Sequence, residues 1–492
     1  MGGDVIVGDG AAVWSGAALD SRRVEGGELF FALAGERTDG HRFVGDALAR
    51  GAAGAVIERE VEGLPTTGQG LVRVADAYEG LHALVRALRR ELPEVLVGIT
   101  GSVGKTTTKE ATAAVLSGRF RTARNPGNLN NLYGFPLAFL GIPDDTEVMV
   151  AELGMSVPGE LGRVSALARP DGVVLTNVRP AHLASFPDVA AIAEAKAEIF
   201  EGLPSGASAF VVANRDDPEV VRVTERWVAS RGRGSGRVIW FGLAPAEGER
   251  LPEVRGRDVR PAVVANDCMG LAFTLEIAAD GSVETMAVEL PLHGRYNVYN
   301  ALAAAGVGHA LGLGVEEIAR GLARVRPAAH RGAVHRLAGP GGSGEPITLV
   351  DDSYNSNPDA LARALESAAE LAGREAGGRL VAILGDMLEL GPEAPRFHRE
   401  AGRRAAELGF APVVGVGPLA EELATGAREA GATAVHLADA ATAADWAEES
   451  LRPGDLVLVK GSRGVALDAV VERLLAPRVE ESFVEGAGEG EA

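Results

Sequence analysis

Residues 99–110, ITGSVGKTTTKE, set glycine, lysine and hydroxyl side chains at the spacing of a phosphate cradle. Gly101 and Gly104 let backbone N–H groups turn toward an anion, and a following helix N-terminus adds partial positive charge. Lys105 has the reach for terminal phosphates, and Thr106 offers a hydroxyl to Mg²⁺. Ser102 and Thr107 complete the loop positions expected to hold a nucleoside triphosphate. The apolar residues 95–97 precede the loop and a helical pattern over 110–116 follows it, so the segment reads as strand, glycine loop, helix. It is a variant of the strict pattern, which has Gly where this chain has Ile99, with Gly98 one place early. The plain alternative is a glycine turn with an exposed lysine.

A phosphate loop needs a metal site. EVMVAELG is an apolar strand ending in Glu152, which sets a carboxylate at the carboxyl edge of the sheet beside the loop. The next strand, GVVLTNV, ends before His182, a second candidate ligand at the same edge. Lys196 lies in AIAEAKAEIF, where Ile192, Ile199 and Phe200 define one helix face, and the residue pattern favours a solvated lysine paired with Glu194 or Glu198. Asn297 and Asn300 open an alanine-rich helix, and an N-cap role explains one of them but not both. In VDDSYNSNPDA a strand ends on Asp351 and Asp352, a polar turn follows, and Pro358 starts a helix. Arg331 is a fixed cation in the linker before it, and LVKGSRG brings Lys460, Ser462 and Arg463 to a strand end able to hold an anion.

These residues need parallel strands to carry them. Short apolar runs alternate with helical stretches over 1–92, with strands expected at 28–33, 55–57 and 71–74. The pattern resumes over 93–326, where 147–151, 172–176 and 208–213 read as buried parallel strands and 245–290 as an antiparallel patch. Over 327–478 strands at 347–350, 380–384, 412–416 and 456–459 give a doubly wound pattern. The acidic residues 479–492 are expected to be a disordered tail.

At 492 residues the chain exceeds one core, and roughly three domains are expected from that length. Its net charge of -20 argues against a general nucleic-acid binder. The single cysteine, Cys268, allows no intrachain disulfide and fits a reducing compartment. No apolar stretch approaches the roughly 20 residues needed to span a bilayer, and the N-terminus carries no export pattern. A cytoplasmic monomer without stable membrane insertion is expected.

Taken in order, several segments resemble the Mur ligases of peptidoglycan synthesis, over about Asp20 to Val471. DSRRVEGGELFFALAGERTDGHRFV is similar to that family's uridine-nucleotide domain, TGSVGKTTTKE to its ATP loop and NPGNLNNLYGFPLAFL to its substrate-facing segment. HRGAVHRL, DDSYNSNPDA, LGDMLELG and KGSRG follow in family order and resemble the branch that joins D-Ala-D-Ala to UDP-N-acetylmuramoyl-tripeptide.

The resemblance implies an α/β, three-domain architecture with a central P-loop-like ATPase domain and a C-terminal Rossmann-like domain. It implies ATP and Mg²⁺ as cofactors, with Lys105 and Thr106 on the phosphates and metal, and Glu152 and His182 as metal ligands. Lys196 matches a lysine that several relatives carbamylate to serve a second metal. Asn297 and Asn300 would lie near the adenine, and Arg331 and Asp352 would reach the nucleotide. Ser21 and Arg22 would face the UDP end of the acceptor, and Asn130, Asn131, Asn355, Asn357, Lys460, Ser462 and Arg463 the remaining substrate groups. Two positions depart from the family: Arg179 stands where a Gly is usual and Ala184 where a Glu is common. The ligase adding the third amino acid, a folylpolyglutamate-type ligase and a non-catalytic nucleotide switch are the rival readings.

Overall fold

The computed structural model describes residues 4–7, 13–35, 38–62, 70–180, 185–206, 208–231, 236–243, 251–264, 268–279, 281–337, 345–372 and 378–476. These fall into two compact units, one within 1–328 with 389–391 and the other within 329–388 and 392–492. The acidic stretch 479–492, read as a tail, lies outside the described residues.

The first unit holds two sheets. The N-terminal one contains β1 (Asp4–Val7), β2 (Ala17–Ala18), β3 (Leu29–Phe31), β4 (Gly54–Ile57) and β5 (Gly70–Arg73), in the order β1-β5-β4-β3-β2. All its pairings are parallel except β1 with β5. The central sheet contains β6 (Val95–Thr100), β7 (Thr122–Arg124), β8 (Val148–Glu152), β9 (Gly172–Leu175), β10 (Phe210–Asn214), β11 (Arg237–Gly242), β12 (Val254–Val264), β13 (Cys268–Ala279) and β14 (Ser282–Leu290). Its order is β14-β13-β12-β11-β10-β9-β6-β8-β7. The last three strands in sequence form the antiparallel patch expected from the irregular stretch 245–290.

Topology places the site. From β6 the chain runs out to β7 and back to β8 on one side, then crosses β6 to build β9, β10 and β11 on the other. The carboxyl ends of β8, β6 and β9 therefore flank the point where the strand order reverses, where open α/β sheets bind ligands. These strands are apolar on both faces because both are covered. Met149 and Ala151 point into a core shared with the N-terminal sheet and the helices Ala77–Leu88 and Glu160–Ala168. Val148 and Val150 point into a second core under the helices Lys105–Leu116, Tyr296–Ala310 and Val315–Leu322. Arg89, at the end of the helix Ala77–Leu88, fastens that helix to the segments ahead of β6 and β9, donating to the carbonyls of Ala168, Pro93 and Arg169 and to Asp171 Oδ2 at 2.6 Å.

The second unit holds β15 (Ala333–Leu337), β16 (Ile347–Asp351), β17 (Leu380–Gly385), β18 (Phe410–Val416), β19 (Ala434–Leu437) and β20 (Leu456–Lys460). Their order is β15-β16-β20-β17-β18-β19, all parallel but for β15 against β16. Helices cover this doubly wound sheet as its alternating pattern requires, the first of them Pro358–Ala372, started by the proline.

Candidate active site

β6 ends at Thr100, the chain turns at Gly101, and the helix Lys105–Leu116 starts behind Gly104, whose φ of 83° is in the left-handed region glycine favours. No side chain caps this helix, so the positive end of its dipole faces the loop, as an anion site requires. A Cβ on Gly101 would overlap the Thr176 hydroxyl, and one on Gly104 would stand 3.2 Å from Asn300 Cγ and overlap its oxygen. Asn177 holds the loop: Val103 N donates to its Oδ1 at 2.9 Å, its Nδ2 donates to Val103 O at 2.8 Å, and its carbonyl accepts Ser102 N. Ser102 Oγ accepts from Arg179 N and donates to Arg179 O. Lys105 folds back over the loop and donates to the carbonyls of Gly101 (2.9 Å) and Ser102 (3.3 Å). Thr107 is half-buried on the first helical turn.

The next turn of chemistry is at β8. Thr106 donates its hydroxyl to Glu152 Oε2 at 2.6 Å, and Asn130 donates its amide to Glu152 Oε1 at 2.7 Å. Both Thr106 and Glu152 are buried. A buried carboxylate beside a threonine hydroxyl at the mouth of a phosphate loop is a hard-oxygen donor set, which suits Mg²⁺ rather than a softer metal. His182, the other candidate ligand, and Ala184 lie outside the described residues.

Lys196 corrects the reading of a solvated lysine. It is 2% exposed in the helix Val189–Ala197. Glu194 is taken by Arg222 and Arg226, and Glu198 caps the helix Glu160–Ala168 by accepting Gly159 N at 2.8 Å and Gly162 N at 3.1 Å. Burial first, and the charge of Lys105 second, hold the Lys196 amine well below the usual lysine range. A neutral buried amine is the form that reacts with CO₂, so this environment fits carbamylation. The signal was in the spacing: Lys196 stands four residues after Ile192 and four before Phe200, on the apolar face.

Neither asparagine of the alanine-rich helix is its N-cap, because the helix begins at Tyr296 and both lie inside it. They form a buried relay behind the loop. Asn297 Nδ2 donates to His293 O at 2.6 Å, Asn300 Nδ2 to Asn297 Oδ1 at 2.8 Å, and Thr108 Oγ1 to Asn300 Oδ1 at 3.1 Å. Asn131 accepts Tyr133 N and Gly134 N through its Oδ1, which fixes the entry to the helix Gly134–Leu140. Ser21 is buried, whereas Arg22 is exposed and paired with Asp20 at 2.7 Å.

The second unit gathers its candidates at the ends of β16 and β20. Lys460 donates to Asp352 Oδ2 at 2.6 Å and to the Asn355 carbonyl at 2.9 Å. Burial pushes the Asp352 carboxyl above the usual range, against the pull of Lys460 and Arg331. Arg331 lies over the Tyr354 ring at 4.1 Å and Arg463 beside the same ring at 5.7 Å. Asn357 caps the helix Pro358–Ala372 through Ala360 N, and Asn355 Oδ1 accepts Ser356 N. Ser462 is buried and accepts Leu388 N, bracing the LGDMLELG turn. Asp386 of that turn also serves structure, accepting Ala420 N at 2.7 Å.

Residue patterns gave no role to Asn177, Asn125, Lys109 and Asp217, although Lys109 and Asn125 lie within the quoted segments ITGSVGKTTTKE and NPGNLNNLYGFPLAFL. Asp217 is fully buried and pairs with Arg179 at 3.0 Å, which accounts for an arginine at that departure from the family pattern. A polar residue just past an apolar strand was the available signal for Asn177.

Three family models match consecutive stretches: "Mur ligase family, catalytic domain" over 15–89, "Mur ligase middle domain" over 99–308 and "Mur ligase, glutamate ligase domain" over 335–463. The chain is 32% identical over 462 residues to the UDP-N-acetylmuramoyl-tripeptide–D-alanyl-D-alanine ligase of Bacillus subtilis, covering 94% of this chain and 93% of that one. MurF from Acinetobacter baumannii has the same fold, with a TM-score of 0.75 at 28% identity over 93% of this chain and 92% of that one. The MurF ligase of Thermotoga maritima in complex with ADP superposes with a TM-score of 0.73 at 28% identity over 94% and 98%. The chain belongs to the Mur ligase family, in the branch of the UDP-N-acetylmuramoyl-tripeptide–D-alanyl-D-alanine ligases, and its three sheets mark that family's three domains.

Proposed function

We propose that this chain is the ATP-dependent ligase that joins D-Ala-D-Ala to UDP-N-acetylmuramoyl-tripeptide, releasing ADP and phosphate. The observation that carries the reading is the buried Thr106–Glu152 pair, 2.6 Å apart, beside a glycine loop that holds Lys105 over it. It is supported by the identity to the Bacillus subtilis ligase over 94% of the chain.

A carboxylate is a poor electrophile, so the acceptor's terminal carboxylate first takes the γ-phosphoryl group of ATP. The dipeptide amine then attacks the acyl carbon, phosphate leaves and the amide remains. Gly101, Ser102, Gly104 and Thr107 present the loop's donors, and Lys105 swings from the loop carbonyls to the phosphates, where a fixed cation favours the charge developing in transfer. A magnesium ion held by Thr106 and Glu152, with His182, would supply further neutralisation of that charge. Carbamylated Lys196 would present a carboxylate to a second ion. Asn297 and Asn300 hold the loop from behind on the nucleotide side. Arg331 and Asp352 serve the nucleotide from the C-terminal domain, and Asn355, Asn357, Lys460, Ser462 and Arg463 the dipeptide. Ser21 and Arg22 serve the UDP group, and Asn130 and Asn131 the acceptor beside Glu152.

The domain limits we assign are 1–92, 93–326 and 327–478. We place the enzyme in the cytoplasm as a monomer. Among the described residues, no helix is long and apolar enough to cross a membrane. A coupled phosphate-release assay with UDP-N-acetylmuramoyl-tripeptide tests the proposal: D-Ala-D-Ala should stimulate release and single D-Ala should not. Faster release with one amino acid on a UDP-N-acetylmuramoyl-dipeptide would overturn the substrate assignment. Release with a folate acceptor would favour the folylpolyglutamate-type reading.

A further inference from the structure

The chain carries 48 lysines and arginines, and only four are lysines: Lys105, Lys109, Lys196 and Lys460. Every other such cation is an arginine, so lysine stands where an arginine would not serve. Three of the four already have a place in the proposed reaction. Lys109 does not.

Lys109 lies one helical turn beyond Lys105 and is 1% exposed. Its ammonium donates to the carbonyl of Asn125 at 2.6 Å, with Glu110 at 3.4 Å, and Glu110 is itself held by Arg124 at 2.6 Å. Burying an ammonium is costly, and an apolar side chain of the same length fills such a space without that cost. The Asn125 it fixes is fully buried and grips Glu152 from behind. Its Oδ1 accepts Glu152 N at 2.8 Å, and its Nδ2 donates to Glu152 O at 3.1 Å and Leu129 O at 2.8 Å. The turn that begins at Asn125 carries Asn130, whose amide holds Glu152 Oε1. One lysine therefore anchors the turn that fixes both the backbone and one carboxylate oxygen of Glu152.

We propose that Lys109 and Asn125 are positioning residues that set the Glu152 carboxylate for Mg²⁺, with Lys109 locking the turn 125–131 and Asn125 relaying that constraint to β8. The inference rests on the reading of Glu152 as a metal ligand. Residues behind a metal ligand commonly change affinity by about 10- to 100-fold when removed, because a ligand must be held to a fraction of an ångström.

The test is ADP binding to the full-length protein, measured by calorimetry with saturating Mg²⁺ and again with EDTA. The readout is the factor by which Mg²⁺ tightens ADP. Lys109→Met should shrink that factor by about tenfold while leaving the affinity in EDTA unchanged. An unchanged factor, or equal weakening in both arms, means that Lys109 only supports the fold and overturns the proposal. Should Lys109→Met fail to fold, Asn125→Ser, which cuts the relay one step later and leaves the lysine in place, carries the same two outcomes. Glu152→Gln is measured in parallel. If it keeps the wild-type factor, the metal assignment fails; if it loses the factor and Lys109→Met and Asn125→Ser do not, only the relay fails.

Discussion

Gly104→Ala is the sharpest perturbation of the loop, because the structure assigns it two separable costs. Placing a Cβ at φ 83° costs about 1 kcal/mol in backbone strain. The added methyl also overlaps Asn300 Oδ1 and must push that carboxamide aside. Asn300 then loses its bonds to Thr108 (3.1 Å) and Asn297 (2.8 Å), in a buried setting. At about 1 kcal/mol for each bond that displacement adds about 2 kcal/mol, for a total of about 3 kcal/mol. Asn300→Ala alone forfeits the same two bonds, about 2 kcal/mol. In the double variant there is no carboxamide to displace, so the total stays near 3 kcal/mol instead of the additive value of about 5 kcal/mol, a coupling of about 2 kcal/mol. Urea unfolding read by tryptophan fluorescence measures this, because Trp14, Trp227 and Trp240 report on the unit that holds Gly104. Trp446, in the other unit, is replaced by Phe to isolate that transition. Additivity within about 0.5 kcal/mol would refute the steric account of the loop.

Lys105→Ala should lower the rate of phosphate release by about 10²-fold or more with an unchanged melting curve, and near-normal turnover would remove the lysine from the reaction. Lys196→Ala should lose activity and regain part of it with added short carboxylic acids, and the wild type should show a ¹³C-carbamate resonance in labelled bicarbonate; full activity in the variant would refute the role. Arg463→Ala should raise the KM for D-Ala-D-Ala more than it lowers kcat, since its exposed guanidinium stands beside the Tyr354 ring at a strand end. A change confined to the KM for ATP would move Arg463 to the nucleotide. Arg89→Met should destabilise the first unit by about 3 kcal/mol or more, because it leaves Asp171 and three carbonyls without the donor they share. A shift below about 1 kcal/mol in the same urea experiment would show that Arg89 is dispensable at the end of its helix.

The parts of this molecule that depend on local pattern were legible in the sequence. In the central sheet β6, β8, β9 and β10 were legible as short apolar runs between turn residues, with β8 and β9 within a residue of their expected limits, whereas the parallel strands β7 and β11 were missed. Glu152 could be found because a carboxylate ending such a strand has only one edge to occupy. What depends on tertiary partners was not legible. The pairing of Glu194 with Arg222 and Arg226 comes from a helix nearly 30 residues on, and it removes the partner that local spacing offered Lys196. Asn297 and Asn300 look like caps because asparagine favours caps, yet the helix starts at Tyr296 and turns both toward the phosphate loop. The antiparallel edge strands β1 and β15 were also missed, although β1 carries the apolar run Val5, Ile6, Val7.

The scarcity of lysine links these observations. Arginine suits the surface of this chain because its planar fork makes paired bonds to carboxylates, as Arg22 does with Asp20. Its guanidinium is always charged and presents a wide fork, as the buried Arg89 does to three carbonyls and a carboxylate, where an ammonium offers a compact or neutralisable point. Lys105 must leave two loop carbonyls for a phosphate oxygen, which a point charge on a flexible stem can do. The proposed carbamylation needs a Lys196 that has lost its proton, and burial can drive an amine there but not a guanidinium. Lys109 must place a single donor on one carbonyl in a space with no solvent, and Lys460 must bridge a carboxylate and a carbonyl at a strand end. Each position demands a compact or neutralisable cation. In a chain of net charge -20, the proposed hold on phosphorylated substrates rests on a few such cations rather than on a basic surface.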